Sequence, residues 1–204
     1  MSLNINNKFK EELIETFKNI GIKSSDCVLL HSNTTKIFYK YKKKDKNFSY
    51  DFFLKTILEY FADGTLLLPT FNFEFCEKGT YDYNNTISKM GVLSEKFRSN
   101  NKQLRTLHPA YSFAVFGKLA NTFLICNNFE AFSNTSPFGK LIDHNAKIVI
   151  WNLEGQKSMT YYHFIERENK VDYRFDKIFE GIYKDNKNIP LKKKFSIFVR
   201  DIEN

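Results

Sequence analysis

A histidine within residues 104–112 is the first side chain that could do chemistry. His108 is followed by Pro109, and an apolar run at 113–116 comes soon after. Proline fixes its own φ and disfavours a helical conformation for the residue before it, so we expect His108 in extended chain at the entrance of a buried strand. An imidazole titrates near neutral pH and can take a proton from an incoming nucleophile. A His-Pro pair is also common in loops that have no chemical role, and these residues alone leave both interpretations open.

A second histidine lies in a short polar pattern further along the chain. Thr160, His163 and Glu166 follow one another at intervals of three residues, which places successive members side by side on the surface of a helix. A carboxylate beside an imidazole fixes its tautomer and raises its basicity, as in a catalytic dyad. The alternative is a helix at the edge of the core that carries a histidine with satisfied hydrogen bonds.

Two histidines and a carboxylate are also a set of ligands that a metal ion can use. His108, His163 and Glu166 do not form the compact HExxH motif that would mark such a site. We therefore expect no metal at these residues.

The composition favours one domain with a substantial core. The chain has 204 residues, of which 42% are hydrophobic and 22 are phenylalanine, and no linker or internal repeat divides it. We therefore expect a single domain over residues 1–204. No apolar run approaches a membrane span, residues 1–6 lack the apolar core of a signal peptide, and the three cysteines are far apart. These features predict a cytoplasmic protein without a membrane partner.

The net charge of +8 is concentrated in two lysine-rich segments, 36–46 and 192–194. A basic balance favours an anionic partner, such as a phosphorylated small molecule. The alternative is a lysine-rich surface that is simply solvated. Neither segment contains a recognisable nucleic-acid-binding motif, so we expect no nucleic acid partner.

Apolar patterns predict helices and strands in alternation. Residues 8–20 form one apolar helical face that Gly21 ends, and Ser49 is placed to cap a second helix. Strands are predicted at 27–32, 65–73, 112–117, 122–126 and 146–151, further helices at 88–98, 138–142 and 159–168, and a hairpin about 185–188. Residues 33–47 and 74–85 are predicted to be connections. This order predicts an α/β sandwich.

Six motifs follow one another along the chain. They are VLLHS (28–32), GTLLLPTF (64–71), MGVLSEKFR (90–98), RTLHPAYS (105–112), SPFGKL (136–141) and TYYHFIE (160–166). Each motif alone is unspecific, but six in order at suitable intervals are specific. The succession resembles the aminoglycoside 3-N-acetyltransferase (antibiotic N-acetyltransferase) family over residues 8–175.

The resemblance implies an N-acetyltransferase that moves an acetyl group from acetyl-CoA to an amine. It implies a three-layer α/β/α sandwich of the antibiotic N-acetyltransferase type, not the GCN5-type acetyltransferase fold. It leaves open which histidine takes the proton of the amine. The residues placed in or beside the reaction centre are His108, His163, Glu166 and Thr160, and those assigned to CoA are His31, Ser32, Thr70, Met90, Gly91, Arg105 and Ser136.

Two further expectations concern the extent of the domain and the acceptor. Family members usually run further than Asn204, so we expect a C-terminal portion of the family domain to be absent. A net charge of +8 matches a nucleotide-linked amino sugar better than a polycationic aminoglycoside. The alternatives are an aminoglycoside acetyltransferase that confers antibiotic resistance and an inactive relative that binds CoA or another anion. The oligomeric state stays open, with a homodimer as one option.

Overall fold

The computed structural model describes residues 5–201. The expectation that no signal peptide is present rests partly on residues 1–4, which lie outside the described residues. The helices are α1 (Ile5–Asn19), α2 (Thr35–Lys42), α3 (Tyr50–Tyr60), α4 (Glu74–Lys78), α5 (Val92–Asn100), α6 (Ala120–Leu124), α7 (Pro137–Asp143), α8 (Gly155–Ser158) and α9 (Tyr162–Glu168). The strands are β1 (Cys27–Ser32), β2 (Thr65–Pro69), β3 (Thr80–Asp82), β4 (Phe113–Gly117), β5 (Lys147–Trp151), β6 (Arg174–Lys184) and β7 (Pro190–Arg200).

The larger sheet has four strands in the order β4-β2-β1-β5. Strand β1 runs parallel to β2 and β5, and β4 is antiparallel to β2. A parallel strand that is covered on both faces is apolar along its whole length. Accordingly, Val28 and Leu30 of β1 pack into one core, and Cys27 and Leu29 pack into a second core on the opposite face. Helices contribute to both cores, which confirms the predicted three-layer α/β/α sandwich.

Helices α1 and α3 of the first core follow from patterns in the sequence. Phe9, Leu13 and Phe17 recur every four residues in α1, and all three are buried, as expected for one apolar face of a helix. Ser49 caps α3 because its side chain accepts a hydrogen bond from the backbone N–H of Phe52 at 3.2 Å. The cap predicted from the sequence is therefore present.

A second sheet, with the order β3-β6-β7, was not predicted beyond its hairpin. Strands β6 and β7 pair antiparallel along their whole length, and the backbone N–H of Asp185 donates to the carbonyl of Ile189 at 3.0 Å to close the predicted turn. Phe195 of β7 packs in a small aromatic core of this sheet, whereas Phe198 enters the second core of the larger sheet. The hairpin therefore packs against the sandwich.

Three predicted segments were wrong. Residues 33–47 contain α2, because Ile37, Phe38 and the fully buried Tyr41 give it an apolar face that its lysines obscure in the sequence. Residues 74–85 contain α4 and β3 rather than a connection. Residues 122–126 do not form a strand: the first three end helix α6 and the last two follow it, since periodicity in so short an apolar run does not separate the two conformations.

Across residues 5–201, every helix is too short or too polar to span a lipid bilayer.

Candidate functional site

A cleft of about 420 Å³ lies at the carboxyl ends of β1 and β2. Ligands of α/β proteins bind preferentially at this edge of the sheet. Five of the residues predicted for the site line the cleft: His31, Ser32, Met90, Gly91 and Thr160. The fold thus brings together residues from three distant parts of the chain.

His31 belongs to the wall of the cleft, but its ring is buried. Its side chain is 95% buried, being only 5% exposed, and Nε2 has no hydrogen-bond partner among the described residues. Burial lowers the pKa of His31 to about 4, so the ring is neutral at pH 7. Since Nε2 itself is buried, the neutral ring contributes to the wall of the cleft.

The cleft also suits an anion. Lys89 and Lys157 contribute to its lining, and Lys157 additionally pairs with Glu154 at 2.9 Å. Helix α2 begins at the cleft, where Thr34 and Thr35 line it, and Thr34 makes no side-chain cap hydrogen bond. The first turn of a helix offers backbone N–H groups and a partial positive charge, both of which favour negatively charged groups.

His163 and Glu166 form a hydrogen-bonded pair on α9. Nδ1 of His163 lies 2.7 Å from Oε2 of Glu166, and the side chains are 27% and 22% exposed. Burial raises the pKa of Glu166, but hydrogen bonds from His163 and Tyr173 and the charge of Arg174 outweigh it and hold that pKa below its ordinary value. The carboxylate is therefore ionised at pH 7. An ionised carboxylate only accepts hydrogen bonds, so Nδ1 of His163 carries the proton of this contact.

This pair lies one helical turn from the cleft. The backbone N–H of His163 donates to the carbonyl of Thr160 at 3.1 Å, and Thr160 lines the cleft. The ring of His163 packs edge-on against Phe132, with 5.6 Å between the ring centroids. The imidazole is thus held by an apolar ring on one side and by a carboxylate at Nδ1.

His108 lies deeper than the sequence suggested. It is 1% exposed, and its Nδ1 accepts a hydrogen bond from the backbone N–H of Tyr111 at 3.2 Å. Phe195 of the β6–β7 hairpin packs against its ring, with 5.2 Å between centroids. Burial lowers the pKa of His108 to about 3, opposed by the neighbouring Ser196 backbone. The two histidines are separated by the rings of Tyr111 and Phe132, which contact each other.

Three residues assigned to CoA are enclosed by protein. Thr70 and Ser136 are fully buried, and the Ser136 hydroxyl caps α7 by accepting from Gly139 N–H at 3.4 Å. Arg105 is also buried, and its guanidinium donates to Ser112 and to backbone carbonyls rather than towards the cleft. The donors of Arg105 are thus engaged inside the core, and the assignment of Arg105 to CoA stays a prediction.

Sequence reasoning missed several residues of the site. Lys89 and Lys157 belong to the cleft, and Tyr173 and Arg174 contact Glu166. Lys89 precedes a motif that the sequence did single out at Met90, so proximity to that motif was an available signal. No local pattern connects Tyr173 or Arg174 to the helix before them.

The fold and site together define a class of protein. A sandwich with a cleft at the carboxyl ends of its parallel strands is the arrangement typical of α/β proteins with a small-molecule site. Within residues 5–201, no three histidine, cysteine, aspartate or glutamate side chains are grouped so that they could hold a metal ion.

Comparison with known proteins identifies the family. The family model described as aminoglycoside 3-N-acetyltransferase matches residues 29–197. The chain belongs to this family, which confirms the resemblance found in its motifs.

Individual relatives agree with this assignment. The SPbeta prophage-derived aminoglycoside N(3')-acetyltransferase-like protein YokD of Bacillus subtilis (strain 168) is 24% identical over 181 residues, covering 77% of this chain and 64% of YokD. The chain thus spans about two thirds of the length of that curated relative. The crystal structure of YokD superposes with a TM-score of 0.75 at 22% identity, covering 95% of this chain and 83% of that one.

Two further solved structures share the fold. Sisomicin-bound AAC-VIa has a TM-score of 0.76 at 16% identity and covers 93% of this chain and 76% of its own. The binary complex of AAC-IIIb with CoASH has a TM-score of 0.72 at 16% identity and covers 96% of this chain and 76% of its own. The predicted antibiotic N-acetyltransferase architecture is thereby confirmed.

Proposed function

We propose that the protein is an acetyl-CoA-dependent N-acetyltransferase that acts on the amine of an amino sugar. The observation that carries this proposal is the pair formed by His163 and Glu166, one helical turn from a cleft that suits an anion. Membership of the aminoglycoside 3-N-acetyltransferase family supports it. The complexes of structural neighbours with CoASH and with sisomicin support the same co-substrate and acceptor class.

The residues of the cleft fit CoA, which carries phosphates at one end and amide groups along its arm. Lys89 and the first turn of α2 would bind phosphate. Gly91 adopts a φ of 98°, a conformation that favours glycine, next to the carbonyl of Ser32 at the end of β1. When bound, acetyl-CoA supplies an acetyl group activated as a thioester.

His163 is suited to accept the proton of the amine. An amine that arrives as an ammonium ion must lose a proton before its nitrogen can attack a carbonyl carbon. Glu166 keeps the proton of the imidazole on Nδ1, so the lone pair of Nε2 can take that proton. That first proton passes from His163 to solvent. As the C–N bond forms, the nitrogen loses a second proton, which Nε2 takes and gives to the leaving sulfur as the C–S bond breaks, so that one proton is released overall and the imidazole is unchanged.

Two other side chains have more limited roles in this proposal. Thr160 lines the cleft and would donate a hydrogen bond to the oxyanion, a contribution of about 3 kcal/mol in other acyl transfers. His108 cannot readily act as the base, because its acceptor nitrogen Nδ1 is already engaged by Tyr111 N–H and its side chain is enclosed.

The acceptor is an amino sugar in both forms that we consider. An aminoglycoside is supported by the family and by the sisomicin complex of AAC-VIa. A nucleotide-linked amino sugar is favoured by the net charge of +8, which attracts an anion and repels a polycation. A homodimer, the cytoplasm as the location and the absence of a membrane partner remain predictions.

The proposal is tested by the release of free CoA thiol from acetyl-CoA. The assay compares a panel of aminoglycosides with nucleotide-linked amino sugars, using the wild-type chain, His163→Gln and His108→Gln. We expect turnover with one acceptor class, a loss of about 10²-fold or more in kcat for His163→Gln, and a much smaller loss per folded molecule for His108→Gln. Full activity of His163→Gln would contradict the assignment of the base. Binding of acetyl-CoA without turnover of either class would establish an inactive relative instead.

A further inference from the structure

The carboxylate of Glu166 is contacted by three residues. Oε2 lies 2.7 Å from Nδ1 of His163 and 2.9 Å from Nε of Arg174, and Oε1 accepts a hydrogen bond from the hydroxyl of Tyr173 at 3.1 Å. The Nε–H of Arg174 is not aimed at Oε2 as a hydrogen bond requires, so this contact is an ion pair. Both oxygens of the carboxylate are therefore held, and its plane is fixed.

Arg174 is itself anchored by the β6–β7 hairpin. Its side chain is 16% exposed, and Nη1 donates to the carbonyl of Phe198 at 3.4 Å. Phe198 is buried in the second core of the larger sheet. Arg174 thus lies at a position set by the core, and it joins strand β6 to the carboxylate on α9.

The charges around this carboxylate come from more than one element. The neighbouring groups that act on Glu166 are His163 on α9, Tyr173 before β6 and Arg174 in β6. Arg200, which is paired with Arg174 across the hairpin, acts on Tyr173. The remaining neighbour of the imidazole given by the ring contacts, Phe132, is apolar.

We propose that Arg174 is a positioning residue that shares Oε2 of Glu166 with His163, and so orients the imidazole without letting it retain a proton. A carboxylate alone would stabilise the imidazolium strongly, since opposite charges a few ångströms apart favour the charged form. The guanidinium of Arg174 partly compensates the negative charge of the carboxylate, and its own positive charge repels an imidazolium at His163. His163 can therefore take a proton from the amine and release it again. This inference rests on the proposed function, and it adds a residue that no motif indicated.

The test compares Arg174→Gln with Arg174→Lys and with Arg167→Gln as a matched control. Arg167 lies next to Glu166 in α9, but its guanidinium pairs with Glu130 and Asp176. The titration of the His163 imidazole is followed by NMR without any substrate, and the pH profile of kcat/KM is recorded in parallel. Folding of each variant is checked by its thermal unfolding.

For Arg174→Gln we expect the midpoint of the imidazole titration, and the acidic limb of the profile, to move upwards by about one pH unit. Arg174→Lys keeps the positive charge, so its titration midpoint should lie close to that of wild type. Arg167→Gln should leave the midpoint unchanged. A midpoint that Arg174→Gln leaves within about 0.2 units of wild type would overturn the proposal, as would an equal shift in Arg167→Gln. If the wild-type chain transfers no acetyl group, the proposed function fails, whereas the NMR titration still decides the role of Arg174.

Discussion

Replacing Arg105 with methionine separates two explanations of this side chain. The resemblance assigns Arg105 to the CoA site, whereas the structure buries this residue at 1% exposure. Its nitrogens donate to Oγ of Ser112 at 3.0 Å and to the backbone carbonyls of Thr70 at 3.0 Å, Thr86 at 2.7 Å and Tyr83 at 3.3 Å. The guanidinium thus connects three segments of the chain, at residues 70, 83–86 and 112, through hydrogen bonds.

The cost of the substitution follows from these contacts. Methionine removes the donor from the carbonyls of Tyr83 and Thr86, whereas the carbonyl of Thr70 still accepts from Ser112 Oγ at 3.1 Å. Each buried carbonyl left unsatisfied costs about 1–3 kcal/mol. The lost contact with the ring of Tyr81, 5.1 Å from the guanidinium carbon, adds about 0.5–1 kcal/mol. Removing a buried charge offsets part of this cost. We expect a decrease of about 3 kcal/mol in the free energy of unfolding, or about 6–12 °C in Tm.

The assay measures stability and co-substrate binding on the same variants. Urea unfolding followed by circular dichroism gives the free energy, and calorimetry gives the Kd for acetyl-CoA at a temperature where the variant is folded. Lys89→Met is the matched control, because Lys89 is exposed and lines the cleft. It should change the free energy of unfolding by less than about 0.5 kcal/mol and weaken acetyl-CoA. Arg105→Met should do the reverse. An Arg105→Met chain of wild-type stability that binds acetyl-CoA at least tenfold more weakly would refute the structural explanation.

Three further predictions concern stability. Gly139→Ala should lower the free energy of unfolding by about 1–3 kcal/mol, because a Cβ there overlaps the backbone of Asn134. Gly155→Ala is the control, since a Cβ there meets no atom within 4 Å, and it should leave the Tm unchanged in the same thermal unfolding experiment. Equal Tm values for the two variants would contradict this prediction. Ser49→Ala should cost about 1 kcal/mol in urea unfolding through loss of the α3 cap, and an unchanged midpoint would show that the cap contributes nothing. Burial raises the pKa of Glu166, yet the hydrogen bonds and the ion pair of its carboxylate outweigh burial and lower that pKa. The ionised carboxylate therefore stabilises the fold at pH values above the ordinary carboxyl range, and this stabilisation is lost as pH falls. Glu166→Gln should therefore lose less stability than wild type between about pH 7 and pH 3, and parallel curves would count against the lowered pKa.

Much of the sandwich could be predicted from local patterns. The apolar run of β1 ends in His31 and Ser32, and such a run predicts a buried parallel strand with a binding loop at its end. The spacing of His163 and Glu166 predicted their contact, because residues three apart in a helix are neighbours. In both cases the relevant partners are close in sequence, or the geometry of the element brings them together.

The parts that could not be predicted depend on contacts between distant segments. Nothing near His108 indicates that Phe195, far along the chain, packs against its ring. Nothing near Arg105 in the sequence indicates its hydrogen-bond partners, and only the fold shows that backbone carbonyls of distant segments accept from its guanidinium. The contact between Arg174 and Glu166 likewise depends on where the β6–β7 hairpin packs. Local sequence predicts the helices and strands, whereas the position of this hairpin determines the surroundings of His108 and Glu166.

The central claim is that the cleft at the ends of β1 and β2 binds acetyl-CoA and that His163 accepts the proton of the amine during acetyl transfer. Calorimetric titration of the wild-type chain with acetyl-CoA tests it most directly. We expect saturable one-to-one binding with a Kd of about 1–10 µM, equivalent to about −7 to −8 kcal/mol, that weakens in the Lys89→Met variant. The absence of saturable heat up to about 1 mM acetyl-CoA would contradict the account, since a cleft that does not hold the co-substrate leaves the His163–Glu166 pair without an acetyl donor.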